Sequence, residues 1–257
     1  MPEPSEFSSA ALPFAKAGFL SRIFSLPAFF DSRCAACGDP VERNSLAGRL
    51  CPGCAKDLAP MQSGFCKLCG LPFAEGSVGL GPCQACLAIK PVWEEIYFIG
   101  PYQGLLRDLL LGLKFHSALS ASSLLGEMMA LRVMEKAARK YDMVVPVPLH
   151  VRRLRERGYN QSLELARPLA KALGLPLEIG VLARTRYGLP QSQLSRGERA
   201  KAVKGAFLAE GQLDGRKVLL VDDVMTTGAT VTECAKRLLD SGAGAVDVVL
   251  AARTALD

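Results

Sequence analysis

Residues 217–231 read KVLLVDDVMTTGATV. The run Val218, Leu219, Leu220, Val221 is continuously apolar, the pattern of a strand buried on both faces of a parallel sheet. Asp222 and Asp223 follow at the expected exit of that strand, and Thr226, Thr227, Gly228, Ala229 and Thr230 then open a helix. Small residues and one glycine let successive backbone N–H groups turn toward a single anion, and the helix start adds its positive dipole end. Charge-assisted hydrogen bonds of this kind contribute about 1.5–3 kcal/mol each, so a few suffice for micromolar phosphate binding. Two neighbouring carboxylates would repel a bare phosphate. A ligand that also presents vicinal hydroxyls and Mg²⁺, as a ribose phosphate does, suits both halves of the stretch.

Around it, strand-like and helix-like segments alternate. Strands are expected at 95–99, 142–146, 217–221 and 246–251, and helices at 103–114, 120–140, 162–174 and 230–241, with Gly174 and Pro176 as stop signals. That alternation implies an α/β fold, a parallel sheet flanked by helices, whose ligands bind at the carboxyl ends of the strands. Neither the nucleotide-binding G-x-x-x-x-G-K nor a G-x-G-x-x-G occurs in such a context; the Gly242-Ala-Gly244 run lies after a helix and before a strand.

Two further segments carry positive charge. Residues 144–150, VVPVPLH, lead from an apolar strand into a proline-stiffened loop, followed by Arg152, Arg153, Arg155 and Arg157 and then Gly158, Tyr159, Asn160 and Gln161. Arginine forks match phosphate oxygens, although a solvated basic helix start would use the same residues. Residues 184–207 are long, polar and basic, interrupted by Gly188, Pro190 and Gly197.

The N-terminal third is organised by cysteine. Eight of the nine cysteines form four C-x-x-C pairs: Cys34/Cys37, Cys51/Cys54, Cys66/Cys69 and Cys83/Cys86. Thirteen residues separate Cys37 from Cys51, and thirteen separate Cys69 from Cys83, so a zinc-ribbon spacing occurs twice. Each pair makes a tight knuckle, and two knuckles supply four thiolates at about 2.3 Å from a tetrahedral Zn²⁺. A segment of this size with few Leu, Ile or Val buries too little to fold unaided, and structural zinc contributes on the order of 10 kcal/mol. Two structural zinc ions are therefore expected. Sequential and interleaved pairing of the knuckles both satisfy the spacing. Cys234, alone on an amphipathic helix, is expected in the core.

These features divide the chain into an N-terminal helical segment (1–33), a double zinc ribbon (34–90) and an α/β domain (91–257). The apolar residues between Leu12 and Phe30 are interrupted by Lys16, Gly18, Arg22 and Pro27, and no run is long enough for a membrane span. The opening MPEPSEF lacks the basic cluster of a secretory signal, so a cytoplasmic location is expected. A net charge of +6 suits phosphate partners without singling out a class.

Residues 217–231 resemble the phosphoribosyl-diphosphate signature of type I phosphoribosyltransferases. The resemblance implies that Asp222 and Asp223 are the catalytic acids holding the ribose hydroxyls. Thr226, Thr227, Gly228, Ala229 and Thr230 would hold the 5′-phosphate. By the same analogy the diphosphate would lie along Pro148, His150, Arg152, Arg155 and Arg157. In that wider family a mobile loop corresponding to 184–207 folds over the substrate, which makes Arg196 and Arg199 candidates to neutralise departing diphosphate. Together with the four cysteine pairs, the motifs VPVPLH, RGYNQ, LSRGER, GAF and VDDVMTTGAT are similar to those of the ComF (competence protein F) family. Ala202 departs from that pattern, which has asparagine there. The resemblance implies Mg²⁺-dependent transfer from phosphoribosyl diphosphate to an unidentified acceptor, linked to DNA uptake in natural transformation. The alternative is a non-catalytic factor on the same fold that binds single-stranded DNA or other competence or recombination proteins.

Overall fold

A parallel sheet needs crossover connections, and the chain supplies helices of the right length between its strands. The computed structural model describes residues 32–41, 49–74, 79, 81–115, 120–138, 140–187 and 202–255. In chain order, β1 (Ser32–Arg33) and β2 (Pro40–Val41) form a small antiparallel pair, followed by the short helices α1 (Pro52–Asp57) and α2 (Gln84–Ala88). Next come β3 (Ile96–Pro101), α3 (Gly104–Phe115), α4 (Ser120–Lys136), β4 (Met143–Pro146), α5 (Val151–Arg157) and α6 (Gln161–Leu173). The remaining elements are β5 (Leu182–Arg184), β6 (Phe207–Ala209), β7 (Lys217–Met225), α7 (Ala229–Asp240) and β8 (Ala245–Arg253). The expected segment 1–33, apart from Ser32 and Arg33, lies outside the described residues, as do Arg196, Arg199 and most of the 184–207 loop.

The main sheet has the order β3-β8-β7-β4, parallel throughout. β8 is buried along its whole length. Alternate residues of β7 feed two cores, as the period of a strand requires. Leu219 and Val221 join Leu125, Met129, Leu165 and Leu169 on the α3, α4 and α6 face. Val218 and Leu220 join Phe207, Val231, Cys234 and Leu238 on the opposite face. Cys234 is fully buried there, and burial pushes its thiol up, so it is a core residue as expected.

Three differences from the sequence reading have physical causes. β7 runs to Met225 rather than stopping at Val221, because β8 continues to pair with it through Asp222↔Leu250, Val224↔Ala252 and Met225↔Arg253. The two acids therefore belong to the last rungs of the sheet, held by the ladder rather than by a loop. α4 ends at Lys136, short of 140, because Tyr141 turns into the core and donates to or accepts from Tyr97 and donates to Asp247. The four arginines start a helix of their own, α5, ended by Gly158 at φ 85°.

The cysteine-rich region is fastened to both sides of this sheet. Cys34, Leu50, Cys54 and Leu58 belong to the α3/α4/α6 core, and Arg49 pairs with Glu127 on α4. Phe65 belongs to the opposite core and meets Phe98 of β3 edge to face at 4.9 Å. Between the two halves, Met61 N donates to Ile99 O at 2.8 Å, and buried Arg132 donates to both Phe98 O and Met61 O. The linking segment thus covers part of the otherwise open edge of β3, a strand edge that would template unwanted pairing.

Candidate functional site

The carboxyl ends of β4 and β7 lie side by side because these strands pair from Met143↔Val218 to Pro146↔Val221. Val147 N extends the pairing by donating to Val221 O at 2.9 Å. The chain then enters α5 through Pro148 and His150. His150 is the N-cap of that helix, its Nδ1 accepting from Arg152 N at 3.2 Å. Its ring meets Tyr187 at 5.3 Å, and the Arg152 guanidinium lies 4.6 Å from the Tyr187 ring while also pairing with Glu156. None of the α5 residues is buried, and Arg152 and Arg155 are exposed.

Asn160 then turns the chain back. Its Oδ1 caps α6 by accepting from Ser162 N at 3.1 Å, and its Nδ2 donates to Val147 O at 3.0 Å. This places Ser162 over the end of β7, where its hydroxyl donates to Asp222 Oδ1 at 2.8 Å. The same oxygen accepts from Asp223 N at 2.9 Å, and Asp223 Oδ1 accepts from Val224 N at 2.6 Å. Both acids are half-buried. Their local bonds fix the carboxylates at the strand end. Beyond Met225 the chain makes the turn read from the sequence: Gly228, at φ 79°, is the N-cap of α7. That left-handed conformation disfavours any other residue, and an added Cβ would meet Met225 Sδ at 3.3 Å. Ala229 N reaches Thr227 Oγ1 at 3.4 Å, a local bond within the turn.

Sequence reasoning missed Ser162 and Asn160, whose roles depend on α6 docking against β4 and β7. It also passed over Arg184. Burial lowers the affinity of this guanidinium for its proton and neighbouring Arg153 lowers it further, whereas Cys234 and Asp222 act in the opposite sense. Its Nε is buried without a hydrogen-bond partner among the described residues. The only sequence signal was an arginine at the end of the apolar run Val181, Leu182, Ala183.

The cysteines fall into two sequential sets, Cys34, Cys37, Cys51, Cys54 and Cys66, Cys69, Cys83, Cys86, with the sulfurs of each within 4.8 Å of one another. This resolves the pairing in favour of the sequential scheme. The Cys37–Cys51 and Cys69–Cys83 sulfur pairs are each 3.8 Å apart, the edge of a tetrahedron with bonds of about 2.3 Å. Burial raises the Cys34 thiol, but backbone amides of Cys37, Cys51 and Ala36 outweigh it and bring it down to about 6. Cys66 comes down to about 7 in the same way, through the amides of Cys83, Leu68 and Cys69. Burial holds Cys69 up, at about 11, where only a cation would make it a thiolate near neutrality. Both sets suit structural Zn²⁺.

A parallel sheet with two acids and a glycine-hinged turn at the end of an inner strand, together with two four-cysteine zinc sites, defines a phosphoribosyltransferase-domain protein with a double zinc ribbon. Residues 25–87 match the double zinc ribbon domain, and residues 159–255 match the phosphoribosyl transferase domain. The chain is 37% identical to the DNA utilization protein YhgH of Escherichia coli K12, over 74% of this chain and 84% of that one. It is 30% identical to competence protein F of Haemophilus influenzae, over 86% of this chain and 96% of that one. The chain belongs to the ComF family that these two proteins represent. Among solved structures, the glutamine phosphoribosylpyrophosphate amidotransferase from B. subtilis aligns with 51% of this chain and 26% of that one, at 30% identity and a TM-score of 0.36. No described helix is long and apolar enough to cross a membrane.

Proposed function

We propose that the chain binds phosphoribosyl diphosphate with Mg²⁺ at the carboxyl ends of β4 and β7 and transfers the phosphoribosyl group to an acceptor nucleophile, in the service of DNA uptake or utilization. One observation carries this reading: Asp222 and Asp223 are fixed on the last rungs of β7, immediately before a glycine-hinged turn into α7. The acids accept hydrogen bonds from the two ribose hydroxyls. The amides and hydroxyls of Thr226, Thr227, Gly228, Ala229 and Thr230 hold the 5′-phosphate. Pro148, His150, Arg152, Arg155 and Arg157 border the diphosphate, and Arg196 and Arg199 neutralise it on departure. Adjacent carboxylates and phosphate oxygens are the hard donors that Mg²⁺ prefers, and the ion supplies charge neutralisation to the diphosphate. The acceptor forms a bond to C1 of the ribose as the C1–O bond breaks, diphosphate leaves with the electron pair, and the acceptor's proton passes to solvent. Catalysis of such a step rests on alignment and electrostatic stabilisation rather than on a nucleophilic side chain.

Calorimetric titration of the zinc-loaded protein with phosphoribosyl diphosphate, with and without Mg²⁺, tests the reading. Saturable binding that requires Mg²⁺ supports it, and absence of binding rejects it. A second reading, a single-stranded DNA binder, is favoured by the exposed arginines of α5. It requires that affinity for a single-stranded oligonucleotide fall steeply with salt and depend on Arg152 and Arg155; a flat salt response would count against it.

A further inference from the structure

The last residues of β8 connect the proposed phosphate turn to the second cysteine set. Arg253, 3% exposed, pairs with Met225 across the sheet. Its guanidinium donates to Met225 O at 2.9 Å, to Thr226 O, and to Thr254 O at 2.9 Å. Its Nε donates to Cys69 O at 3.0 Å. A second bond runs in parallel: Trp93 Nε1 donates to Leu68 O at 2.8 Å, while the edge of the Trp93 ring lies 3.8 Å from where a Cβ of Gly228 would stand. Leu68 and Cys69 belong to the Cys66–Cys69 knuckle. The knuckle and the turn also face each other across a groove of about 220 Å³, bounded by Cys69, Cys83, Trp93, Thr227 and Gly228. Among the described residues the first cysteine set has no such connection, since it joins the core on the α3, α4 and α6 face.

We infer that the second zinc site is a positioning element for the 226–230 turn, acting through Arg253 and Trp93, whereas the first is structural only. A metal held by Cys66 and Cys69 fixes the carbonyls of Leu68 and Cys69 in space. Arg253 transmits that fixed frame to the carbonyls of Met225 and Thr226, so the amides that follow keep one orientation toward the anion. A guanidinium suits this task because its planar fork serves several carbonyls at once, which an ammonium on a flexible stem does not. An unfastened turn must be ordered by the ligand itself, and affinity falls by that cost. The ligand part of this inference rests on the reading of the turn as a phosphate site; the mechanical part does not.

The test is amide hydrogen exchange of residues 226–230 in the full-length, zinc-loaded chain. Arg253→Lys and Cys86→Ser are each expected to accelerate exchange there by roughly tenfold or more, the loss of about one strong hydrogen bond's worth of local protection. Trp93→Phe, which removes only the bond to Leu68, is the milder variant should either fail to fold. Cys37→Ser, in the first set, should leave exchange at 226–230 unchanged. Unchanged exchange in Arg253→Lys and Trp93→Phe, or equal acceleration by Cys37→Ser and Cys86→Ser, overturns the inference. Titration with phosphoribosyl diphosphate and Mg²⁺ separates the two readings. If the wild type does not bind, the proposed function falls while the exchange result still decides the coupling. If the wild type binds and Arg253→Lys binds equally well, the ligand part of the inference falls, while the exchange result still decides the mechanical part.

Discussion

The hydroxyl of Ser162 donates to Asp222 Oδ1 at 2.8 Å across sixty positions of sequence. It joins the first turn of α6 to the end of β7, so the acid's orientation depends on helix docking as well as on the sheet. Ser162→Ala removes a hydrogen bond to a charged group, about 1.5–3 kcal/mol. Mg²⁺-dependent affinity for phosphoribosyl diphosphate is expected to fall about tenfold or more by calorimetry. Asp222→Asn combined with Asp223→Asn should abolish that binding, and unchanged affinity would reject the site.

Gly126 sits where α4 crosses α6. A Cβ there would lie 2.3 Å from Pro168 Cγ and 2.6 Å from Leu165 O. Gly126→Ala gains up to about 1 kcal/mol of helix propensity, but forcing a methyl group against a backbone carbonyl costs about 1–3 kcal/mol or more. The carbonyl cannot rotate away as a side chain could, so the clash prevails. A lowered denaturation midpoint with unchanged slope is expected, and a raised midpoint would show that the helices separate at little cost.

Asp247 is fully buried and accepts from Tyr141 at 2.7 Å and from Glu95 N at 2.8 Å. Burial raises the Tyr141 phenol above its ordinary value, helped by Tyr97 and Asp247. The folded state therefore keeps this proton where the unfolded chain releases it. Its contribution is full below about pH 10 and is lost progressively as pH rises above that value. Tyr141→Phe should lower stability at neutral pH by about 1–3 kcal/mol and show a shallower alkaline decline than the wild type. Parallel curves from pH 8 to 11, by thermal melts, would refute the assignment.

Two zinc ions per chain are expected by metal analysis. Thiolates hold the metal, so protons compete with it, and retention should weaken as pH falls. Chelator treatment at about pH 5 should therefore strip the metal faster than at pH 8. The midpoint of thermal unfolding should fall on stripping, because these short knuckles form part of both cores. Equal stripping rates at the two pH values would argue against thiolate ligation.

Local pattern was enough for the parallel sheet, the helix stop at Gly174, the acids and turn of 222–230 and the eight metal-ligating cysteines, because each is written in adjacent residues. An apolar run predicts a buried strand wherever it lies, and a C-x-x-C knuckle aims its own sulfurs. Pairing β7 with β8 out to Met225 required a partner strand of matching length, which no local signal discloses. The same holds for the sequential grouping of the cysteines, for Ser162 on Asp222 and for Arg253 between Cys69 and the turn after β7. Those bonds join residues 60 and 184 positions apart. A side chain's partner at such a distance is chosen by how helices and strands dock, and docking is a property of summed surfaces rather than of any one stretch.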